Sequence, residues 1–390
     1  MSDHVSATVT ERAALEALVE KDSIVICCGS GGVGKTTTAA VIAQEAARRG
    51  RDAVVVTIDP AKRLANALGL DALSDAPSEV PRPLWDPDSN APASGRLSAL
   101  MLDTKTTFDK LVTRYAVGEE QAERILANGF YRNVSGALSG TQEYMAMEKL
   151  YELHEGGGYE IIVVDTPPTR HALDFLDAPD RLLRMLDNRV FRLLMMPTRA
   201  YLRVASVAVQ TFLRTVSRVV GSEVVDDIVS FFRAFEGMEA GFRERAEHVR
   251  ALLADRGAAF VLVTSPRRDA IEEAAFFAQR LEHDGRKVAA LVVNRVHPSF
   301  GSELPEGLRL RASELRDSTT GTAQAEAGAR LAALYDNLAD FNEIAGRERG
   351  HLADLTARIG SAGVAYVPFL ARDVHDLDAL SEIGNAIFRE

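Results

Sequence analysis

The chain has 390 residues, 46% apolar and 26% charged, which is the composition of a globular protein with a sizeable core. Its formal net charge of -11 disfavours binding to nucleic acid, because a negative surface repels phosphates. Cys27 and Cys28 are adjacent and offer no disulfide framework, and the N-terminus lacks a signal-peptide pattern. The absence of a disulfide framework favours a reducing, cytoplasmic location. With no apolar run of about 18 residues, the sequence predicts no membrane span.

Short apolar runs alternate with helix-like segments along the chain. The runs predicted as buried strands are Ile24–Cys28, Ala53–Ile58, Leu97–Leu102, Ile161–Val164, Phe260–Thr264, Val288–Val293 and Ala365–Val367. The segments predicted as helices between or beside them are 11–20, 36–49, 268–283 and 376–388. Residues 74–95 contain several prolines and are predicted to form a surface loop.

This alternation predicts an α/β fold in which helices cover both faces of a mostly parallel sheet. Three stretches interrupt the series of strands, and their composition favours helices: 104–157, 171–256 and 298–360. We therefore expect a single domain over residues 1–390, with these stretches as helical insertions that include an inserted lobe.

A glycine-rich segment lies between the first strand and the helix that follows it. Its sequence is Gly29-Ser30-Gly31-Gly32-Val33-Gly34-Lys35-Thr36-Thr37. Glycines let the backbone fold around an anion with its N–H groups pointing inward, and the helix N-terminus adds a favourable dipole. Lys35 would contact the β- and γ-phosphates, and the Thr36 hydroxyl would bind magnesium. The sequence predicts a P-loop NTPase-like fold that binds Mg²⁺ and a nucleotide, since pattern and context together disfavour a turn without a ligand.

Two acids follow predicted strands and complete the candidate site. Asp59 follows the second strand, and Asp165 follows the strand at Ile161–Val164. The carboxyl ends of parallel strands face the ligand crevice, so one acid can orient the attacking water while the other supports the metal. Either acid alone could simply cap a turn, but with a P-loop in the same sheet we favour the catalytic interpretation.

These motifs resemble those of the ArsA and guided-entry (tail-anchored protein targeting) ATPases. With MinD and ParA, that family forms a class with a deviant Walker A loop. Thr57–Ala61 resembles its switch I, Asp165–Leu176 its switch II, and Val292–Arg295 its adenine-contacting segment. The likeness extends over nearly the whole chain, and the switch II match is the most specific part of it.

The resemblance implies a role for each matching residue. Asp59 would position or activate water, and it and Lys35 would be the catalytic residues. Lys35, Thr36 and Thr37 would bind phosphate and magnesium, and Asp165 would sense the metal and the γ-phosphate. Asn294 would hydrogen-bond adenine, and Pro368 would flank the base. The resemblance also implies ATP and Mg²⁺ as cofactors, and a homodimer or a heterodimer with a related ATPase that closes around ATP.

One departure from the family lies within the P-loop itself. The family usually carries a signature lysine that reaches the partner's phosphates, and this chain has Ser30 at that position. Charge stabilisation of this kind is worth orders of magnitude in phosphoryl transfer. Turnover is therefore expected to be slow, unless another cation substitutes. Arg170 in switch II and a different partner chain are two candidates, although Arg170 could equally be solvated or paired with Asp174.

The cysteines depart from the family as well. The arsenite pump binds its substrate through separated cysteines, and eukaryotic guided-entry ATPases clamp zinc with a Cys-x-x-Cys pair. Cys27 and Cys28 match neither arrangement, and we expect them to be buried, inert thiols on the strand before the P-loop. Arsenite transport and a zinc-clamped dimer are both disfavoured.

Residues 181–220 carry eight arginines and one acid, Asp187, among apolar side chains that include Met185, Met195 and Met196. In the tail-anchored protein targeting ATPases this region forms a Met-rich groove for an apolar helix. Helix packing with a solvated arginine face is slightly favoured, while a client protein helix or a membrane-associated partner stays open. Met145 and Met147 are expected in the core.

Three functions are consistent with these observations. The first is an ATPase whose nucleotide cycle changes the conformation of a dimer and acts on a client or partner protein. The second is the energy subunit of an anion exporter of the arsenite type. The third is a weakly hydrolysing, nucleotide-dependent scaffold in a heteromeric complex, which Ser30 favours.

Overall fold

A computed structural model of the chain describes its residues except 1–8, 22, 59–62, 87–94, 135–140, 168–169, 190–221, 255–256, 319–321, 361, 371–376 and 390. The strands in the described part are β1 (Ile24–Gly29), β2 (Ala53–Thr57), β3 (Ser78–Glu79), β4 (Leu97–Met101), β5 (Ile161–Asp165), β6 (Ala258–Thr264), β7 (Val288–Val296) and β8 (Gly363–Pro368). They form one sheet in the order β3-β4-β2-β5-β1-β6-β7-β8. Every neighbouring pair is parallel except β3 with β4, so the mostly parallel α/β fold is confirmed.

Helices occupy most of the remaining described chain. The longer ones are α1 (Val9–Glu20), α2 (Lys35–Arg48), α5 (Thr104–Tyr115), α6 (Glu119–Ala127), α8 (Thr141–Glu155), α9 (Arg170–Asp187), α10 (Ser222–Ala234), α11 (Glu239–Ala254), α12 (Arg268–His283), α13 (Pro305–Ser318), α14 (Thr322–Ile359) and α15 (Leu377–Phe388). The shorter ones are α3 (Arg63–Ala67), α4 (Arg82–Trp85) and α7 (Gly129–Val134). Helices α5 to α8 lie between β4 and β5, α9 to α11 between β5 and β6, and α13 and α14 between β7 and β8.

The hydrophobic core has a layer on each face of the sheet. Successive strand residues point to opposite faces, so in β1 Ile24, Ile26 and Cys28 belong to one layer while Val25 and Cys27 belong to the other. Residues of α8, α9, α11 and α12 fill the first layer, and residues of α1, α2 and α15 fill the second. Helices on both faces explain why the strands are continuous apolar runs.

The predicted surface loop over residues 74–95 was wrong in part. This segment contains β3, which extends the sheet by an antiparallel edge, and the helical turn α4. Trp85 is buried, its indole Nε1 donates to the carbonyl of Val80 at 3.0 Å, and its own carbonyl accepts from Gln44 Nε2 at 2.8 Å. Prolines indicated a loop, but the tryptophan anchors the segment against α2.

Two further expectations concern individual side chains and membrane helices. Met145 and Met147 are fully buried, so their assignment to the core is confirmed. Across the described ranges, no helix combines the length and the apolar character needed to cross a membrane.

Candidate functional site

The predicted P-loop joins the C-terminal end of β1 to α2. At Gly29 a Cβ atom would lie 2.0 Å from the carbonyl oxygen of Val263 on β6, and at Gly34 it would lie 2.2 Å from Asn294 Nδ2. Gly34 and Gly32 also have positive φ angles of 101° and 77°. Close packing at Gly29 and Gly34 and the positive φ at Gly32 and Gly34 thus require glycine at these positions, where the backbone amides stay uncovered by side chains.

Lys35 and Thr36 begin α2 and direct polar groups at this loop. Lys35 is 7% exposed, and its Nζ donates to the carbonyl oxygen of Ser30 at 2.8 Å, which holds the ammonium beside the loop backbone. The N–H groups in the first turn of α2 have no acceptor within the helix. That turn contains no acid, so its partial positive charge is not cancelled locally.

Asp165 lies directly beside this helix start. Parallel pairing places it opposite Cys27 of β1 and Thr57 of β2. Its Oδ2 accepts hydrogen bonds from Thr36 Oγ1 at 2.7 Å and from Thr57 Oγ1 at 2.9 Å. The carboxylate is 1% exposed, so it supports the hydroxyl of Thr36 from beneath the loop. This is the position expected of a residue that orients a metal ligand.

Asn294 is brought onto the P-loop from β7. Its Nδ2 donates to the carbonyl oxygen of Val33 at 2.8 Å, and its Oδ1 accepts from the backbone N–H of Arg295 at 2.9 Å. Arg295 has a φ of 64°, and the register with β8 shifts at this point, so a bulge in β7 directly follows Asn294. Pro368 ends β8 and pairs with Val296 of β7, which places it at the same edge of the sheet.

Several predicted residues cannot be located in the same way. Asp59 lies outside the described residues, directly after Ile58, and so do Met195 and Met196 of the arginine-rich region. Arg170 is the first residue of α9, but its side chain is not among those described. The roles given to these residues remain predictions.

Thr57 and Thr166 make contacts that no sequence motif predicted for them individually. Thr57 binds the carboxylate of Asp165, while Thr166 Oγ1 donates to the carbonyl oxygen of Cys27 at 2.7 Å and ties β5 to β1. Both threonines lie at the C-terminal end of a strand, on or beside the strand that carries Asp165. This position is the signal that could have indicated them. That signal is informative only once the strand order is known.

Cys27 and Cys28 are buried and unbridged, as predicted. Burial raises the pKa of the Cys27 thiol well above its usual range, with the carboxylate of Asp165 adding to the effect. Burial also raises the pKa of Cys28 to about 12. Neither thiol is a thiolate at neutral pH, so neither is prepared to bind a soft metal or metalloid.

The loop and its surroundings fit a magnesium-bound triphosphate. A Cβ at Gly29 would clash with the backbone of β6, so only glycine fits where the loop leaves the sheet. The Ser30 hydroxyl oxygen is buried and has no hydrogen-bond partner in the described part of the chain, which leaves it able to bond a phosphate. Thr36 would supply a hydroxyl ligand supported by Asp165, and Lys35 would supply an ammonium. These are the donors that a magnesium triphosphate requires.

The fold and this site define a protein of the P-loop NTPase class. Sequence comparison gives a narrower assignment, because the profile of the ArsA family, described as anion-transporting ATPase, matches residues 22–309. The chain therefore belongs to the ArsA ATPase family, and the resemblance inferred from its switch motifs is confirmed.

Two fungal relatives are similar to part of the chain. The ATPase GET3 of Malassezia globosa is 28% identical over 174 residues, which are 44% of this chain and 47% of the relative. The ATPase GET3 of Chaetomium globosum is 29% identical over 174 residues, 44% of this chain and 48% of the relative. The chain thus matches about half the length of these curated relatives.

Proposed function

We propose that this chain binds Mg-ATP and hydrolyses it to ADP and phosphate, and that the nucleotide cycle drives a conformational change in a dimer. The observation that carries the proposal is the cluster at the C-terminal edge of the sheet. There Asp165 holds the Thr36 hydroxyl at 2.7 Å, directly beside the ammonium-bearing loop. Family membership and the similarity to proteins named ATPase GET3 support the same activity.

Each side chain of the cluster has a distinct part in binding. Lys35 exchanges its contact with the Ser30 carbonyl for the β- and γ-phosphates, and the hydroxyl of Ser30 adds a hydrogen bond. Thr36 Oγ1 ligates the magnesium, oriented by Asp165, whose second hydroxyl partner is Thr57. The bound magnesium neutralises charge on the phosphates.

Turnover requires a group that orients water against the γ-phosphate. Asp59 is proposed for this role because it follows β2, whose last residue Thr57 already contacts Asp165. Asn294 is proposed to bond adenine because its amide lies against the P-loop at Val33, and Pro368 is proposed to flank the base. A contact with adenine would use the remaining hydrogen-bonding capacity of the amide.

The same proposal includes a homodimer or a heterodimer that acts on a client or partner protein. Family membership and the similarity to proteins named ATPase GET3 support the ATPase activity on which a dimer cycle would depend. The anion-export alternative is supported by the description of the family, but both thiols are buried with raised pKa values, which argues against an arsenite-type substrate. If the chain binds ATP with little or no turnover, a weakly hydrolysing scaffold is the favoured function.

The experiment combines calorimetry with steady-state ATPase assays on the whole chain. Lys35→Ala should abolish turnover and weaken Mg-ATP binding, whereas Asp59→Asn should keep binding and lose turnover. Lys105→Ala, an exposed lysine whose side chain is 58% accessible, is the matched control and should leave both unchanged. Absence of Mg-ATP or Mg-ADP binding by the folded protein contradicts the proposal.

The dimer is tested separately by light scattering with and without Mg-ATP. We expect light scattering to give the mass of a dimer in the presence of Mg-ATP and the mass of a monomer in the presence of Mg-ADP. A monomer in all nucleotide states would remove the dimer from the proposal and leave the ATPase activity standing.

A further inference from the structure

A cavity of about 500 Å³ lies at the edge of the sheet opposite the P-loop. Val288, the first residue of β7, lines it, whereas the P-loop follows the last residue of the parallel strand β1. The other walls are one side of α12 and the end of α14. The cavity is therefore separate from the nucleotide site, and its volume is within the range of about 300–1,000 Å³ typical of small-molecule sites.

The inner surface of the cavity is partly apolar. Ala275 and Ala278 of α12 face it, together with Val288 and Ile359. The two alanines are small, which accounts for the space between α12 and the end of α14. An apolar group of a few carbons could lie against these side chains and exclude water from them.

Basic residues gather around the same cavity. Arg286, Lys287 and Arg358 line it, and Glu282 is the acid that accompanies them. Within the described ranges, none of the three cations forms an ion pair with a carboxylate, whereas every arginine of α12 and α13 does. Arg286 lies 5.8 Å from the ring centroid of Phe260, a cation–π contact that orients it.

The helix dipole accounts for one of these charges but not for their convergence. A cation is favoured in the last turn of a helix, and Arg358 occupies that position in α14. Arg286 and Lys287 come after α12 has ended, on the turn into β7. In a chain of net charge -11, three cations without carboxylate partners at one cavity create a local positive potential.

We propose that this cavity is a binding site for a small amphipathic anion, with a carboxylate or phosphate head and a short apolar chain. The head lies among Arg286, Lys287 and Arg358, and the chain lies against Ala275, Ala278 and the other apolar side chains. The site does not depend on the nucleotide activity, because it uses none of the P-loop residues.

The test is calorimetry on the whole chain with hexanoate and hexyl phosphate as probes. Inorganic phosphate and hexyltrimethylammonium are the comparators. The first has the anionic head without the apolar chain, and the second has the apolar chain with a cationic head. The titrations are made with the Lys35→Ala protein as well, so that binding of hexyl phosphate to the P-loop is recognised. We expect both hexyl anions to bind in both proteins, and each comparator to bind at least about tenfold more weakly.

Two variants locate the site, each with a matched control, and thermal unfolding confirms that all four are folded. Arg358→Glu reverses one charge at the cavity, and Arg268→Glu reverses an exposed charge at the far end of α12. Ala278→Phe fills the cavity, and Ala333→Phe adds the same ring at an exposed position of α14. The cavity variants should weaken hexanoate binding about tenfold or more, and the controls should not.

Three results would overturn the proposal. They are no binding of either hexyl anion at about 5 mM, binding that the cavity variants leave unchanged, and inorganic phosphate binding as tightly as hexyl phosphate. The last result would show that charge alone is recognised and that the apolar wall has no role.

Discussion

Replacing Asp75 by asparagine should destabilise the protein strongly, because its carboxylate neutralises a buried lysine. The Lys149 side chain is 3% exposed, and its Nζ lies 3.2 Å from Asp75 Oδ2. Lys110 Nζ, on a side chain that is 52% exposed, lies 2.7 Å from the same oxygen, and this hydrogen bond is the main cause that raises the pKa of Lys110. Asp75 therefore joins α5 and α8 to the segment before β3.

The expected loss can be worked out from these contacts. Removing one partner of a buried ion pair costs about 3–5 kcal/mol, because the other charge is left without compensation. Glu152, 3.3 Å from Lys149 but 44% exposed, compensates only in part, so we take the lower end, about 3 kcal/mol. With an unfolding entropy of about 2.1 cal/mol/K per residue over 390 residues, Tm should fall by about 4 °C.

Calorimetry and urea unfolding measure both quantities. Asp269→Asn is the matched control, since the side chains of Asp269 and Arg267 are 66% and 77% exposed and their ion pair should contribute little to stability. Adding Lys149→Met to Asp75→Asn should restore part of the loss by removing the uncompensated charge. Two results would contradict a buried Asp75–Lys149 ion pair of this strength. One is a loss for Asp75→Asn no larger than that for Asp269→Asn, and the other is a further full loss of stability on adding Lys149→Met.

Three further predictions concern the loop, a helix cap and the thiols. Gly29→Ala should abolish Mg-ADP binding in calorimetry, because its Cβ would lie 2.0 Å from a backbone carbonyl. Gly32→Ala has no atom within 4 Å of its Cβ and should weaken binding less, through the strain of its positive φ alone. Asp103→Ala should cost about 1 kcal/mol at pH 7 in urea unfolding, since Asp103 caps α5. Backbone N–H bonds lower the pKa of Asp103, so this cost should shrink as pH falls through that pKa. Cys27 and Cys28 should resist a thiol reagent at pH 8 until the protein unfolds.

The strands and the loop could be predicted because their signals are local. The strand at Ile24–Gly29 is a continuous apolar run, and a glycine-rich segment that leads into a helix has few other structural explanations. The parallel sheet followed from the alternation of such runs with helices. Asp165 was found because it follows an apolar run directly.

The features that were missed depend on contacts between distant parts of the chain. Strand β3 has two residues and is stabilised by pairing with β4, so no local pattern could indicate it. Trp85 is held by Gln44, which lies 41 positions earlier. The role of Thr57 follows from the register of β2 with β5, and the contact of Asn294 with Val33 spans 261 positions.

Ser30 should affect the rate of hydrolysis more than the affinity for nucleotide. ATP carries about four negative charges, which Mg²⁺, the ammonium of Lys35 and the roughly half charge of the α2 N-terminus nearly balance, so the bound state needs no second lysine. During hydrolysis, negative charge shifts toward the leaving oxygen, and the neutral hydroxyl of Ser30 cannot neutralise it. Cations placed beside that oxygen change kcat by orders of magnitude. Ser30→Lys should therefore raise kcat at least about tenfold while changing the Kd for Mg-ATP little. An unchanged kcat with tighter binding would show instead that a cation from elsewhere already serves the reaction.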